Sequence, residues 1–259
     1  MEHGIYASLL AVGLLLGMLI LAEAGRRIGM RRLAQDPQGA EAGVGTVEGA
    51  VFALLGLLIA FTFSGAASRF DTRRQLIIKE TNDIGTAYLR LDLLPVDAQP
   101  ELREKFRQYL DARLEVYRQL PDIAAAKEEL VKANKLQGEI WSRAVAASRA
   151  QGASPAAPML VLPALNTMID ITTTRTMAMQ MHPPVVIFAL LFGLALASSL
   201  LVGYGMAGSK AHNWLHMLGL VFAMAASVYV ILDIEYPRAG FIRVDAFDQA
   251  LLELRESMK

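Results

Sequence analysis

The stretch EGAVFALLGLLIAFTFSGAASRFDTRRQLIIKETNDIGTAYLRLDLLP runs from Glu48 to Pro95 and changes character in its middle. Gly49 to Ser64 holds no Lys, Arg, Asp or Glu, whereas Arg69, Arg73, Arg74 and Lys79 crowd the next turns. No helix breaker stronger than Gly65 or Gly85 separates the two halves. The pattern predicts one helix that crosses a bilayer, leaves it at the basic turns and continues until Pro95 stops it.

Three further blocks have the same composition. Ile5–Ala22, Pro184–Tyr204 and Trp214–Leu232 are also free of Lys, Arg, Asp and Glu. About 20 residues at 1.5 Å each cross a hydrocarbon core of roughly 30 Å. These blocks account for a chain of 259 residues that is 54% hydrophobic, with net charge zero and mean hydropathy +0.37. The expected fold is an all-α integral membrane protein with four transmembrane helices and a helical-bundle insertion between the second and third spans. The first block reads as a retained span. Its leading residues carry no positive charge and its arginines (Arg26, Arg27, Arg31, Arg32) follow it, the reverse of a signal peptide.

The expected segments are residues 1–70 for the first two spans, 71–182 for the extramembrane bundle, 183–233 for the last two spans and 234–259 for a tail. Within the bundle, Leu102, Phe106, Tyr109, Leu110, Arg113, Tyr117 and Leu120 recur at helical spacing. An alanine-rich helix follows up to the break at Gln151-Gly-Ala-Ser-Pro155, and another helix is expected from Pro163 to His182. The tail contains a short amphipathic helix capped by Asp245. An even number of spans puts both termini and the bundle on one side. The arginines after the first span and those after the second pull in opposite directions, so the positive-inside rule leans only weakly, towards an external bundle.

Two stripes mark the second span. Gly56, Ala60 and Ser64 form a small-residue line that lets another helix come close, as do Ala195, Ser199 and Gly203 on the third span. Phe52, Leu55, Ile59 and Phe63 lie alongside. If copies of the helix surround an axis, these four line a hydrophobic neck that gates by dewetting, and Arg73 and Arg74 ring its mouth with charge that attracts anions. Taken one helix at a time, the stripes are also ordinary packing positions, and the arginines suit lipid headgroups. The four spans carry no charge of the kind a coupled transporter needs.

Other readings are weaker. Leu201-Val-Gly-Tyr-Gly205 resembles a potassium filter, but it closes a full span and leaves no room for a pore helix. Gly203 and Gly205 are expected to end that helix, with Tyr204 in the interfacial belt. His212 and His216 could share a face, yet no acidic residue stands near them in sequence to complete a metal site. There is no cysteine, phosphate loop, nucleophile elbow or metalloprotease helix. No enzyme activity, cofactor or metal is expected, and a net charge of zero gives no case for nucleic acid.

The Glu48–Pro95 stretch, LPALNTMID at Leu162–Asp170, ILDIEYPRAGFIRV at Ile231–Val244 and LLELRESM at Leu251–Met258 together resemble the bacterial bestrophin-like family of membrane proteins. That family shares its layout with true bestrophins, which are pentameric anion channels whose second helix lines a hydrophobic neck. The resemblance implies a ring-like homo-oligomer in the bacterial inner membrane that conducts inorganic ions, anions first. It also implies Phe52, Leu55, Ile59 and Phe63 as neck residues and a cytosolic bundle. The chain departs from the bestrophin pattern where RFDTRRQ replaces a Trp-containing run, and it has no acidic calcium clasp, so calcium gating is not implied. A membrane sensor or scaffold working through a partner is the competing expectation. A cation channel with Glu48, Asp233 and Glu235 as acidic rings is another.

Overall fold

The computed structural model describes residues 2–36, 44–120, 122–208, 214–238 and 240–258. They form eight α-helices and no strand. The helices are α1 (Glu2–Gln35), α2 (Val44–Leu89), α3 (Gln99–Gln119), α4 (Ile123–Ser148), α5 (Ala157–Gln180), α6 (Val185–Gly205), α7 (Trp214–Glu235) and α8 (Asp245–Ser257). Four segments, containing α1, α2, α6 and α7, are long and apolar enough to cross a membrane. The chain is an all-α, multi-pass membrane protein.

The helices fall into two compact units, Met1–Ser68 with His182–Phe241 and Arg69–Met181 with Ile242–Lys259. In the first unit α1 packs against α6 and α7. Ala7, Ala11, Leu14, Met18 and Ala22 are buried along one line of α1, at the three- and four-residue steps that keep side chains on one helix face. Leu191 and Ala195 of α6 and Val221, Ala225 and Val228 of α7 are buried with them.

In the second unit the core joins Ile84 and Tyr88 of α2, Phe106 and Leu110 of α3, Ile140 of α4, Leu165 and Met168 of α5, and Leu251 of α8. Asp122 caps α4 by accepting from the amides of Ala124 and Ala125 (3.0 and 3.1 Å), the bonds that satisfy otherwise orphaned N–H groups. Alanines at 126, 133, 144 and 147 keep the α4 face thin, so α3 and α4 lie close. Outside, Arg255 of α8 grips Asp111 of α3 with two bonds (2.8 and 3.0 Å). Both side chains reach water, and exposed pairs of this kind contribute little, so Arg255→Ala should cost less than about 1 kcal/mol in a thermal melt of the full chain.

Several elements differ from expectation. The α1 helix does not stop at its arginines but runs on through them, and Arg27 is tied to Glu23 one turn back (2.7 Å). The α5 helix begins six residues before Pro163, which therefore sits inside it. Pro163 brings no N–H to the preceding turn, and Arg90 donates to the nearby Leu160 carbonyl (2.7 Å). Val244, not Asp245, stands at the N-cap of α8. The glycines of α6 do not end it in the left-handed conformation, because Gly152 is the one described residue with positive φ. The helix instead tightens into a 3-10 turn at Met206–Gly208. The tail from Ile242 belongs with the bundle. His212 lies outside the described residues, as does the side chain of His3, while His216 is exposed on α7.

Candidate functional site

Along the apolar half of α2, Leu55, Thr62 and Ala66 form a buried line at steps of seven and four. The opposite face is open. Leu54, Leu57, Phe61 and Phe63 are 45–66% exposed, and Gly56, Ala60 and Ser64 are exposed as well. A Cβ added at Gly56 would meet nothing within 4 Å. Of the four expected neck residues, Phe63 is open and Phe52 and Ile59 are half-buried, while Leu55 is enclosed by its own chain. Only 11% of the apolar stretch of α2 is buried, against 28%, 22% and 44% for the other three spans.

The small line of α6 has different surroundings. Ala195, Ser199 and Gly203 are buried, and a Cβ on Gly203 would lie 1.8 Å from the Ala22 carbonyl oxygen of α1. From the other side, a Cβ on Gly25 would lie 1.9 Å from the Leu200 carbonyl oxygen, and one on Gly29 would lie 2.7 Å from that of Tyr204. The two backbones touch because glycine leaves them room. Sequence reasoning missed the α1 partner, although Gly25 and Gly29 stand four apart, because they lie within a basic run that reads as a loop.

The basic turns of α2 do not present two free cations. Arg73 is 7% exposed, and its guanidinium donates to the carbonyls of Ala178 (3.2 Å) and Met181 (3.0 Å). These carbonyls end α5, where no intrahelical donor remains and the helix dipole favours a cation. Arg74 bonds Asp71 (3.0 Å), and its guanidinium lies 4.4 Å from the centre of the Phe247 ring on α8. The cation lying on the aromatic face is a favourable arrangement.

Deeper in the bundle is a polar centre that periodicity did not assemble. Glu80 of α2 is fully buried. Arg113 of α3 donates to it through Nε (2.6 Å), Arg175 of α5 donates to its other oxygen, and the Tyr117 hydroxyl donates to that same oxygen (3.2 Å). Arg175 lies over the Tyr117 ring at 3.9 Å and reaches Asp248 of α8 (3.8 Å). Burial pushes the Glu80 carboxyl up, but the Arg113 and Arg175 charges outweigh it and hold the group down at about 2. Beside this centre, Gln137 of α4 donates to the hydroxyls of Tyr109 (3.0 Å) and Thr172 (2.8 Å), which are 3.0 Å apart. The sequence did carry one signal: Arg113 falls on the apolar line of α3, and a charge on a buried line requires a partner.

At the end of α7 both carboxylates turn inward. Asp233 is 2% exposed and accepts from the Phe241 amide (3.0 Å), and a Cβ on Gly240 would lie 1.7 Å from its Oδ1. Glu235 is fully buried and lies 3.0 Å from Nδ1 of His182, whose ring stacks on Tyr236 with centres 4.7 Å apart. These acids close a turn within the first unit. A family model described as Bestrophin-like domain matches residues 11–246 of the chain. No curated protein and no solved structure matches it.

Proposed function

We propose an ion-channel function for this chain, which belongs to the bestrophin-like family, with copies ringed so that α2 walls a passive pore. The observation that carries this reading is the open apolar face of α2, in a unit where α1, α6 and α7 pack on one another. Lipid covers any apolar face. The line Gly56, Ala60 and Ser64 adds something lipid does not exploit, room for the backbone of another helix. Copies meeting along that line would bring the half-covered Phe52 and Ile59 and the open Phe63 to a narrow hydrophobic constriction, with Leu55 behind them as support. Such a neck resists ions until it wets. The proposed setting is the inner membrane of a bacterium, with no catalytic role.

Of the charges expected at the mouth, Arg73 is committed to the end of α5 and Arg74 is shared with Asp71 and Phe247. The proposal therefore rests on the neck and not on a basic ring. Purified protein in sealed vesicles should pass small inorganic ions. Phe63→Ala, which widens the narrowest part, should raise the flux several-fold while the oligomer size stays the same. Well-folded oligomers that pass neither potassium nor chloride would end the channel reading and favour a scaffold that works through a partner.

A further inference from the structure

We infer that the basic end of α1 is a binding surface for anionic phospholipid, with Arg27 and Arg31 set at headgroup depth. The inference goes beyond the channel reading and holds whether or not the chain conducts ions. Every residue that forms the surface belongs to the first compact unit.

One face of α1 is taken up by its own unit. Ala7, Ala11, Leu14, Met18 and Ala22 are buried there, and Gly25 and Gly29 meet the backbone of α6. The other face is open, with Leu9, Leu16 and Ile20 each more than half exposed. On a helix apolar enough to cross a membrane, such a line lies against acyl chains. Leu9, Leu16, Ile20, Arg27 and Arg31 follow one another at steps of seven, four, seven and four in one unbroken helix. The side of α1 that meets lipid tails therefore turns cationic where the apolar block ends.

The packing of α1 sets the depth of these cations. Gly29 lies between the two arginines and rests against the Tyr204 carbonyl, and a tyrosine closing a span belongs to the interfacial belt. Arg27 and Arg31 are separated by about 6 Å along the axis, close to the roughly 5–7 Å of one headgroup layer. Ile28 and Met30 are exposed beside them and keep apolar contact with the acyl boundary while the guanidinium groups reach the phosphates. Contact with the turn Met206–Gly208 holds this end of α1 helical, so the arginines are presented without the cost of ordering a loop.

Charge selects the lipid. Residues 23–36 hold four arginines against two acids. Glu23 takes up part of the charge of Arg27 (2.7 Å). Arg31 and Arg32 are exposed, and among the described residues neither has an ion-pair partner. A zwitterionic headgroup brings its own cation to the site, whereas an anionic one brings only the charge that complements it.

The test is native mass spectrometry of the full-length protein in neutral detergent, mixed with equal amounts of phosphatidylglycerol and phosphatidylcholine of the same acyl chains. Wild type should retain phosphatidylglycerol several-fold over phosphatidylcholine, and the ratio should fall as salt is raised. Arg31→Gln combined with Arg32→Gln should lower the ratio several-fold, while lysine at both positions should keep most of it. Glu23→Gln, which frees Arg27, should raise it. Arg149→Gln removes an exposed charge of the bundle unit and should leave it unchanged. Gel filtration of each variant checks that the oligomer is intact. Equal retention of the two lipids by wild type would overturn the inference, as would a ratio unmoved by the double glutamine variant. A change of oligomer size in that variant would show that a second copy covers this face, and would overturn it too.

Discussion

Glu80→Ala is expected to lower the melting temperature of the full chain in detergent by roughly 6–20 °C, from about 3–5 kcal/mol for breaking a buried charge pair and 2–4 °C per kcal/mol. The substitution leaves Arg113 and Arg175, 1% and 4% exposed, facing each other without the carboxylate between them. Arg175 keeps Asp248 at 3.8 Å, so Arg113 bears most of the penalty. Replacing both Glu80 and Arg113 with leucine should do less damage than Glu80→Ala, because the orphaned charge is then gone.

The same residue predicts an acid response. Its carboxyl is lowered from 4.5 to about 2 in the folded chain. A lowered acid stabilises the fold fully above its unfolded value, and that contribution is lost as the pH falls through the folded one. Wild type should therefore lose stability between about pH 4.5 and about pH 2. Glu80→Gln should be less stable at neutral pH and flatter across that window. An identical acid slope in wild type and Glu80→Gln would show that other carboxylates control it.

The second large effect is expected where α1 meets α6. Gly203→Ala or Gly25→Ala puts a methyl group 1.8 or 1.9 Å from a backbone carbonyl oxygen, far inside van der Waals contact. A flexible side chain could move aside, but two helix backbones must separate. The cost should reach or exceed the roughly 3 kcal/mol upper end of ordinary overpacking. Gly13→Ala and Gly193→Ala are the controls, since an added Cβ at either meets nothing within 4 Å. Those two should be neutral or gain up to about 1 kcal/mol from helix propensity. Equal melting temperatures for Gly203→Ala and Gly193→Ala would mean that α1 and α6 do not touch as described.

The spans were legible because the exclusion of charge over some 20 residues has one dominant physical cause. The continuity of α2 from Val44 to Leu89 was legible because its middle has no breaker. What sequence did not show was pairing. Arg73 reads as a free cation beside a span, and nothing local says that the carbonyls of Ala178 and Met181, more than a hundred residues on, will receive it. Glu80 reads as one more surface charge between Lys79 and Asp83. Its burial follows from α3 and α5 converging on it with Arg113, Tyr117 and Arg175. Gly25 and Gly29 were hidden by the arginines around them, which suggested a loop. In each case the missing information was which face meets which, and periodicity within one helix does not contain it.

The contact between Gly25 and Leu200 also has a consequence for biogenesis. The two residues are 175 positions apart, and the bundle segment Arg69–Met181 lies between them in the chain. At 5–20 residues per second, α1 must wait roughly 10–35 s in the membrane before the ribosome delivers its partner. Through that interval its glycine face is open to the wrong neighbours, including the first helix of another nascent copy. Variants that slow translation of residues 69–181, without altering any residue, should therefore lower the yield of assembled protein.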